Sequence, residues 1–312
     1  VSSHGGTKAI IAALSANAFI ALTKFGAWAL TGAASMLAEG VHSLADTSNQ
    51  ILLLRGGQVA KRQATEEHPF GYGRAPFINA FLVSVILFSL GGLFAIYEAV
   101  HKYEEIATGH PNELLGSQWW WVPLAVLVFA IIAEGLSFRT AVRESVPLKG
   151  GQSWPQFIRS AKSPDLPVIL LEDFAALLGL VFALMGVGLT LLLHEPLWDV
   201  AGTALIGVLL ILVAVTLAME TRSLLLGEAA TPEAVDRITT ALAGADGVER
   251  VIHLRTLHLG PNEVLVAAKI AVEPTTSAQR VAQVIDAAEA AIRAAEPQVT
   301  ALYLEPDIDR SA

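Results

Sequence analysis

Six stretches of this chain are each predominantly apolar for about 20 residues or more, at about 8–31, 34–59, 76–103, 119–142, 167–193 and 197–224. A hydrocarbon core about 30 Å thick is crossed by roughly 20 residues of helix. Inside it every backbone N–H and C=O must be satisfied within the segment, so a helix is what such a stretch forms. The pattern predicts an α-helical membrane protein with six transmembrane helices. Polar and turn-forming stretches punctuate it: "TGAAS", "HPFGYGR", "TGHPNELLGS" and "HEP" separate the first and second, second and third, third and fourth, and fifth and sixth segments. At 54% hydrophobic and 16% charged, the 312 residues are too apolar for an ordinary soluble domain. Trp119, Trp120 and Trp121 open the fourth segment, as an interfacial aromatic belt would.

Basic residues set the expected orientation. Lys61, Arg62 and Arg74 lie in the second connection, and Arg143, Lys149, Arg159 and Lys162 in the fourth. The other side offers little beyond Lys102. By the positive-inside rule both basic connections, both termini and the tail are expected in the cytoplasm, and the bacterial inner (cell) membrane is the expected setting. Lys8 runs directly into a segment long enough to span, which is not a cleavable signal-peptide pattern. There is no Cys, so disulfides and thiolate metal sites are excluded.

Composition changes at about residue 228, dividing a transmembrane domain (1–227) from a C-terminal domain (228–312). The latter carries 13 acidic and 7 basic residues and reads as soluble. Thr231-Pro232-Glu233 is a helix start, with Thr as N-cap, Pro in the first turn and an acid at the positive dipole end. "VERVIHLRTLHL" and "EVLVAAKIAVE" alternate with period two about a "GPN" turn, which predicts a hairpin. Thr276 or Ser277 then caps an Ala-rich helix to about Ala295, and "TALYLEP" supplies a last strand. The α-β-β-α-β order predicts a compact cytoplasmic ferredoxin-like α+β domain, with about 80 residues making only a small core.

The second apolar segment contains residues that lipid would reject. Glu39, His42, Asp46 and Asn49 fall three and four apart and form one stripe on a helix. An ionisable residue at membrane depth costs about 2.5–3.5 kcal/mol even on a lenient scale, so the stripe must face the bundle, a cavity or an ion. His42 and Asp46 supply an imidazole nitrogen and a carboxylate one turn apart, a spacing suited to a small cation. The plainer alternative is hydrogen bonding between helices, for which Asn, Ser or Thr would serve at less cost. In the fifth segment, "VILLEDFAALLGL", Glu172 and Asp173 are adjacent and point about 100° apart. One is expected to face the ion while the other pairs elsewhere. Lys24 is either that partner or a lysine snorkelling to the interface.

"SMLAEGVHSLADTSNQ", "HPFGYGR", "LLEDFAALLG" and "LWDVAGTALIGVLLILVA" resemble the cation diffusion facilitators over nearly the whole chain. The resemblance implies a homodimeric divalent metal exporter, usually for Zn²⁺, that exchanges metal for protons. It also implies a transport site built from two i,i+4 pairs on the second and fifth segments. The first pair matches His42 and Asp46, and Asp173 takes the fifth-segment Asp position, with Gly179 at the expected spacing. The partner four residues earlier is Ile169 rather than His, which leaves Glu172 as the substitute ligand. The Glu-Asp pair is similar to the branch that includes the mitochondrial zinc transporter. Accessory metal sites depart from the family pattern: Tyr72 follows His68 where a second His is common, and Gln279 and Tyr303 stand near tail positions that often hold His. His253 and His258 are five apart, so on one strand they point to opposite faces.

The expected activity is therefore Zn²⁺/H⁺ antiport, with Mn²⁺, Fe²⁺ or Co²⁺ as alternative cargo, because one His among carboxylates is a harder donor set than two His. No cofactor and no nucleic-acid partner are expected; the partners are the metal ion, protons and the lipid bilayer. No GxxxxGK[ST] stretch is present to drive a nucleotide pump, and no HExxH stretch to make an intramembrane hydrolase. The chain reads as a non-enzyme. A passive metal channel is the nearer rival, since the same ligands would line a pore.

Overall fold

The computed structural model describes residues 3–110 and 112–308, with side chains described from residue 17 onward. Two compact units emerge, Val1–Arg55 with Asn79–Thr221, and Gly56–Ile78 with Arg222–Ala312.

The first unit is helical. Its elements are α1 (Ser3–Thr31), α2 (Ala34–Ala60), α3 (Ala75–Ile86), a π-helical stretch (Leu87–Leu93), α4 (Phe94–Ala107), the short α5 (Glu113–Gly116), α6 (Trp121–Lys149), α7 (Trp154–Ser160), α8 (Asp165–Leu193) and α9 (Leu197–Leu226). Gly32, at φ +61°, ends α1 in the left-handed conformation that only glycine adopts freely. His194 does the same for α8 at φ 56°, and Pro196 follows before α9 begins.

The expectation of six transmembrane helices is corrected here. Among the described residues four helices are long and apolar enough to cross a membrane: Ala75–Ala107, Trp121–Lys149, Asp165–Leu193 and Leu197–Leu226. The physical reason lies in α2, whose 27 residues include Glu39, His42, Asp46, Asn49 and Arg55, polar groups that offset its leucines. Most of the first half of α1 lies outside the described side chains.

Helices in lipid gain little from burying apolar surface against one another, so close backbone approach matters more. Three glycine contacts provide it. A Cβ on Gly186 of α8 would lie 2.9 Å from the Trp198 carbonyl oxygen, and one on Gly202 of α9 would lie 2.8 Å from that of Phe182. A Cβ on Gly207 of α9 would reach 3.0 Å from the Ile96 nitrogen. The outward side chains include Leu82, Leu90, Leu136, Leu192, Leu212 and Met219, all exposed. So extensive an apolar exterior is a surface for lipid.

In the second unit α10 (Pro232–Ala243), β1 (Arg250–Gly260), β2 (Glu263–Ala271), α11 (Ala278–Ala295) and β3 (Val299–Asp307) follow in the α-β-β-α-β order read from the sequence. Thr231 caps α10 through Ala234 N, and of the two candidates it is Ser277 that caps α11, through Arg280 N. The sheet order is β1-β2-β3, with β1 antiparallel and β3 parallel to β2. Ile238, Leu242, Val266, Ile270, Ala288 and Ile292 are fully buried between sheet and helices. Their spacing of four along each helix and alternation along β2 is why one face of every element is apolar. The strand register is regular from His253 to His258, so these two take opposite faces, His253 exposed and His258 buried.

Candidate functional site

The polar stripe of α2 turns inward. Glu39, His42 and Asn49 are each 1% exposed or less, while the Asp46 side chain keeps 15%. His42 Nε2 and Asp46 Oδ2 stand 3.5 Å apart, one turn from each other. That separation is too long and too poorly aligned for a hydrogen bond, and both ring nitrogens of His42, with Asp46 Oδ1, are buried without one. Buried polar atoms are almost always paired, so an unpaired imidazole beside an unpaired carboxylate oxygen is a place that would welcome a cation.

Four neighbouring carboxylates are held in different ways. Glu172 on α8 is buried and accepts a hydrogen bond from Asn49 Nδ2 at 2.7 Å. Asp173 accepts one from Ser137 Oγ of α6 at 2.8 Å. Glu39 pairs with Lys24 of α1, whose Nζ lies 2.8 Å from Glu39 Oε2 and 2.7 Å from Ser43 Oγ. Lys24 is 1% exposed, so it neither snorkels nor pairs with Glu172 or Asp173; the stripe's own Glu39 is nearer and takes it. Glu134, inside α6, lines a small cavity with Asn17, Ile20, Ser43 and Asp46.

The structure thus brings His42 and Asp46 together and sets Glu172 and Asp173 on the helix facing them. Among the described residues no three His, Asp or Glu side chains stand together as a finished cation cage. Ile169, at the position where the resemblance implies a His, packs against the apolar core. Glu134 went unnoticed in the sequence. The rule that exposed α2 would have found it, because "FAIIAEGLSF" is a carboxylate in the middle of an apolar run.

The far end of α2 is anchored by Asp199 of α9. Its carboxylate accepts from Ala34 N at 2.8 Å, Ser35 N at 3.4 Å and Ser35 Oγ at 2.5 Å. An anion at a helix N-terminus satisfies free N–H groups and meets the positive dipole end. In the second unit, His68 stacks on Tyr72 with ring centroids 4.6 Å apart, so the histidine of "HPFGYGR" faces an aromatic ring where a second imidazole was absent.

Comparison with known proteins places these features. Residues 10–226 match the family described as "Cation efflux transmembrane domain", and residues 230–306 match "Cation efflux protein, cytoplasmic domain". The chain is 31% identical over 269 residues to the Homo sapiens "Proton-coupled zinc antiporter SLC30A9, mitochondrial", covering 85% of this chain and 46% of that protein. It is 25% identical to "Metal tolerance protein C4" of Arabidopsis thaliana, covering 86% and 58%, and 23% identical to "Manganese efflux system protein MneP" of Bacillus subtilis, covering 83% and 81%. The chain spans about half the length of the zinc antiporter relatives it matches. With both segments matched across most of its length, the chain belongs to the cation diffusion facilitator (cation efflux) family, whose members are transporters and not enzymes.

Proposed function

We propose that this chain exports a divalent metal cation in exchange for protons by alternating access, with Zn²⁺ as the cargo. The observation that carries the reading is the buried, unpaired His42 imidazole one turn from the unpaired Asp46 oxygen, on a helix facing Glu172 and Asp173. His42, Asp46 and Asp173 are the proposed ligands, with Glu172 substituting for the histidine that Ile169 lacks. Glu172 would leave its bond with Asn49 to bind.

Coupling follows from ligand chemistry. An imidazole and carboxylates bind metal only when deprotonated, so metal and protons compete for the same atoms. Metal loads from the low-proton cytoplasmic side, protons entering from the other side displace it, and the protonated site returns. The positive-inside pattern supports a cytoplasmic tail; a bacterial inner membrane is the proposed setting, and the cytoplasmic module is proposed to hold two copies together as a homodimer. The zinc antiporter relatives support Zn²⁺. The carboxylate-rich donor set and the likeness to a manganese efflux protein favour Mn²⁺ as the second reading.

The test is uptake into proteoliposomes of the full chain under an imposed proton gradient, with Zn²⁺, Mn²⁺, Fe²⁺ and Co²⁺ in competition. Uphill accumulation with Zn²⁺ outcompeting the others is expected. Mn²⁺ dominance would replace the cargo, and flux that only runs downhill would replace the carrier with a channel.

A further inference from the structure

α6 contributes nothing to the ligand set proposed above, yet it carries a carboxylate that lines a cavity with Asp46. Glu134 sits on the helix that packs along both α1 and α8, midway through an apolar run. Its side chain lines a small, partly open cavity together with Asp46 and Ser43 of α2 and Asn17 of α1. No hydrogen bond holds its carboxylate in place among the described residues, whereas Glu172 has Asn49, Asp173 has Ser137, and Glu39 has Lys24. A carboxylate in this interior should find a partner, because an unpaired one is costly there.

A second observation, on a group that is not an acid, points to a cation. His42 is 1% exposed and both its ring nitrogens lack a partner, while its Nε2 stands 3.5 Å from Oδ2 of Asp46, which lines the cavity. Lys24, the nearby buried cation, is already committed to Glu39 and Ser43. It fixes the Ser43 oxygen at the cavity wall and is not hydrogen-bonded to Asp46 or Glu134.

We propose that Glu134 is a further donor to the transported divalent cation, binding from α6 through the cavity it shares with Asp46 and Ser43. This rests on His42 and Asp46 being ligands. An additional oxygen donor would suit an ion that accepts five or six ligands and matter less to one content with four. Glu134 is then a specificity-determining residue: it raises affinity for Mn²⁺ more than for Zn²⁺. It also ties α6 to α2 when the metal is bound.

The experiment is equilibrium titration of the purified full chain with Zn²⁺, Mn²⁺ and Co²⁺, following the visible absorption of bound Co²⁺ as a report on its donors. Glu134→Gln is isosteric and should weaken Mn²⁺ at least about tenfold, a clear step in affinity, with a smaller loss for Zn²⁺ and a changed Co²⁺ spectrum. Should that variant not elute as a single species, Glu134→Asp withdraws the carboxylate by one methylene and is expected to shift the same measurements in the same direction. Wild-type affinities and spectrum in the Glu134 variant, with binding lost in Asp46→Ala, would overturn the role of Glu134 and leave the proposed site intact. Wild-type binding in both variants would overturn the site itself.

Discussion

Lys24 Nζ lies 2.8 Å from Glu39 Oε2, with neither side chain more than 1% exposed, so a buried ion pair joins α1 to α2 inside the bundle. Three residues further along α2 stands His42. Taking two charges out of water is costly, and the pair is tolerable only while both members are present. Lys24→Met or Glu39→Leu alone should therefore destabilise the protein by about 3–5 kcal/mol, by stranding the other group. The double change Lys24→Met, Glu39→Leu should recover most of the loss. Thermal unfolding of the four proteins in detergent measures the coupling, and simple additivity would contradict it.

Gly179 of α8 makes room for that same glutamate. A Cβ at Gly179 would come 2.9 Å from Glu39 Oε1, closer than real side chains pack. Gly179→Ala should cost about 1–3 kcal/mol through overpacking. Gly26, in α1, has nothing within 4 Å of its would-be Cβ. Gly26→Ala is the control, expected to be neutral or to stabilise by up to about 1 kcal/mol. Equal melting shifts in the two variants would show that the contact with Glu39 is not what matters.

Asp199 should behave as the anchor of α2. Asp199→Ala leaves the N–H groups of Ala34 and Ser35 without their buried acceptor. A loss of about 1–3 kcal/mol per unsatisfied buried group follows. Asp199→Asn retains one carbonyl acceptor and should recover part of it. A melting temperature unchanged by Asp199→Ala would rule out the anchor.

How far the sequence reaches can be seen along α2. Its polar stripe was legible because helical spacing collects Glu39, His42, Asp46 and Asn49 on one face, and lipid excludes such a face. The partners were not, because nothing local says which of several carboxylates a buried Lys24 will meet. Glu39 won by proximity across the α1–α2 packing, a tertiary fact. The same stripe made the count of spans wrong: a helix carrying Glu39, His42, Asp46, Asn49 and Arg55 is less apolar than one whose residues all face lipid. In the tail, alternation and caps sufficed, since Thr231, Ser277 and the buried faces of β2 and α11 are all set by local rules.

The tail offers a pH test. Glu305 and Asp307, whose oxygens lie 2.8 and 3.1 Å from Lys269 Nζ, hold its ammonium above the ordinary lysine value. A raised folded-state pKa means stabilisation that is fully present below the unfolded value of about 10.4 and lost as pH rises through the folded one. Lys269→Met should lower the urea midpoint of the cytoplasmic module at pH 7 and leave it unchanged at strongly alkaline pH. A deficit that persists in alkali would assign the effect to packing.

His42 and Asp46 are the residues through which the cation is proposed to pass. The most direct measurement of that passage is pH-driven Zn²⁺ uptake into proteoliposomes containing the Asp46→Ala variant of this chain, reconstituted at the same density as the wild type and eluting as the same species. Uptake indistinguishable from empty liposomes is expected, because the carboxylate beside the His42 ring is gone. Wild-type uptake by this variant would contradict it.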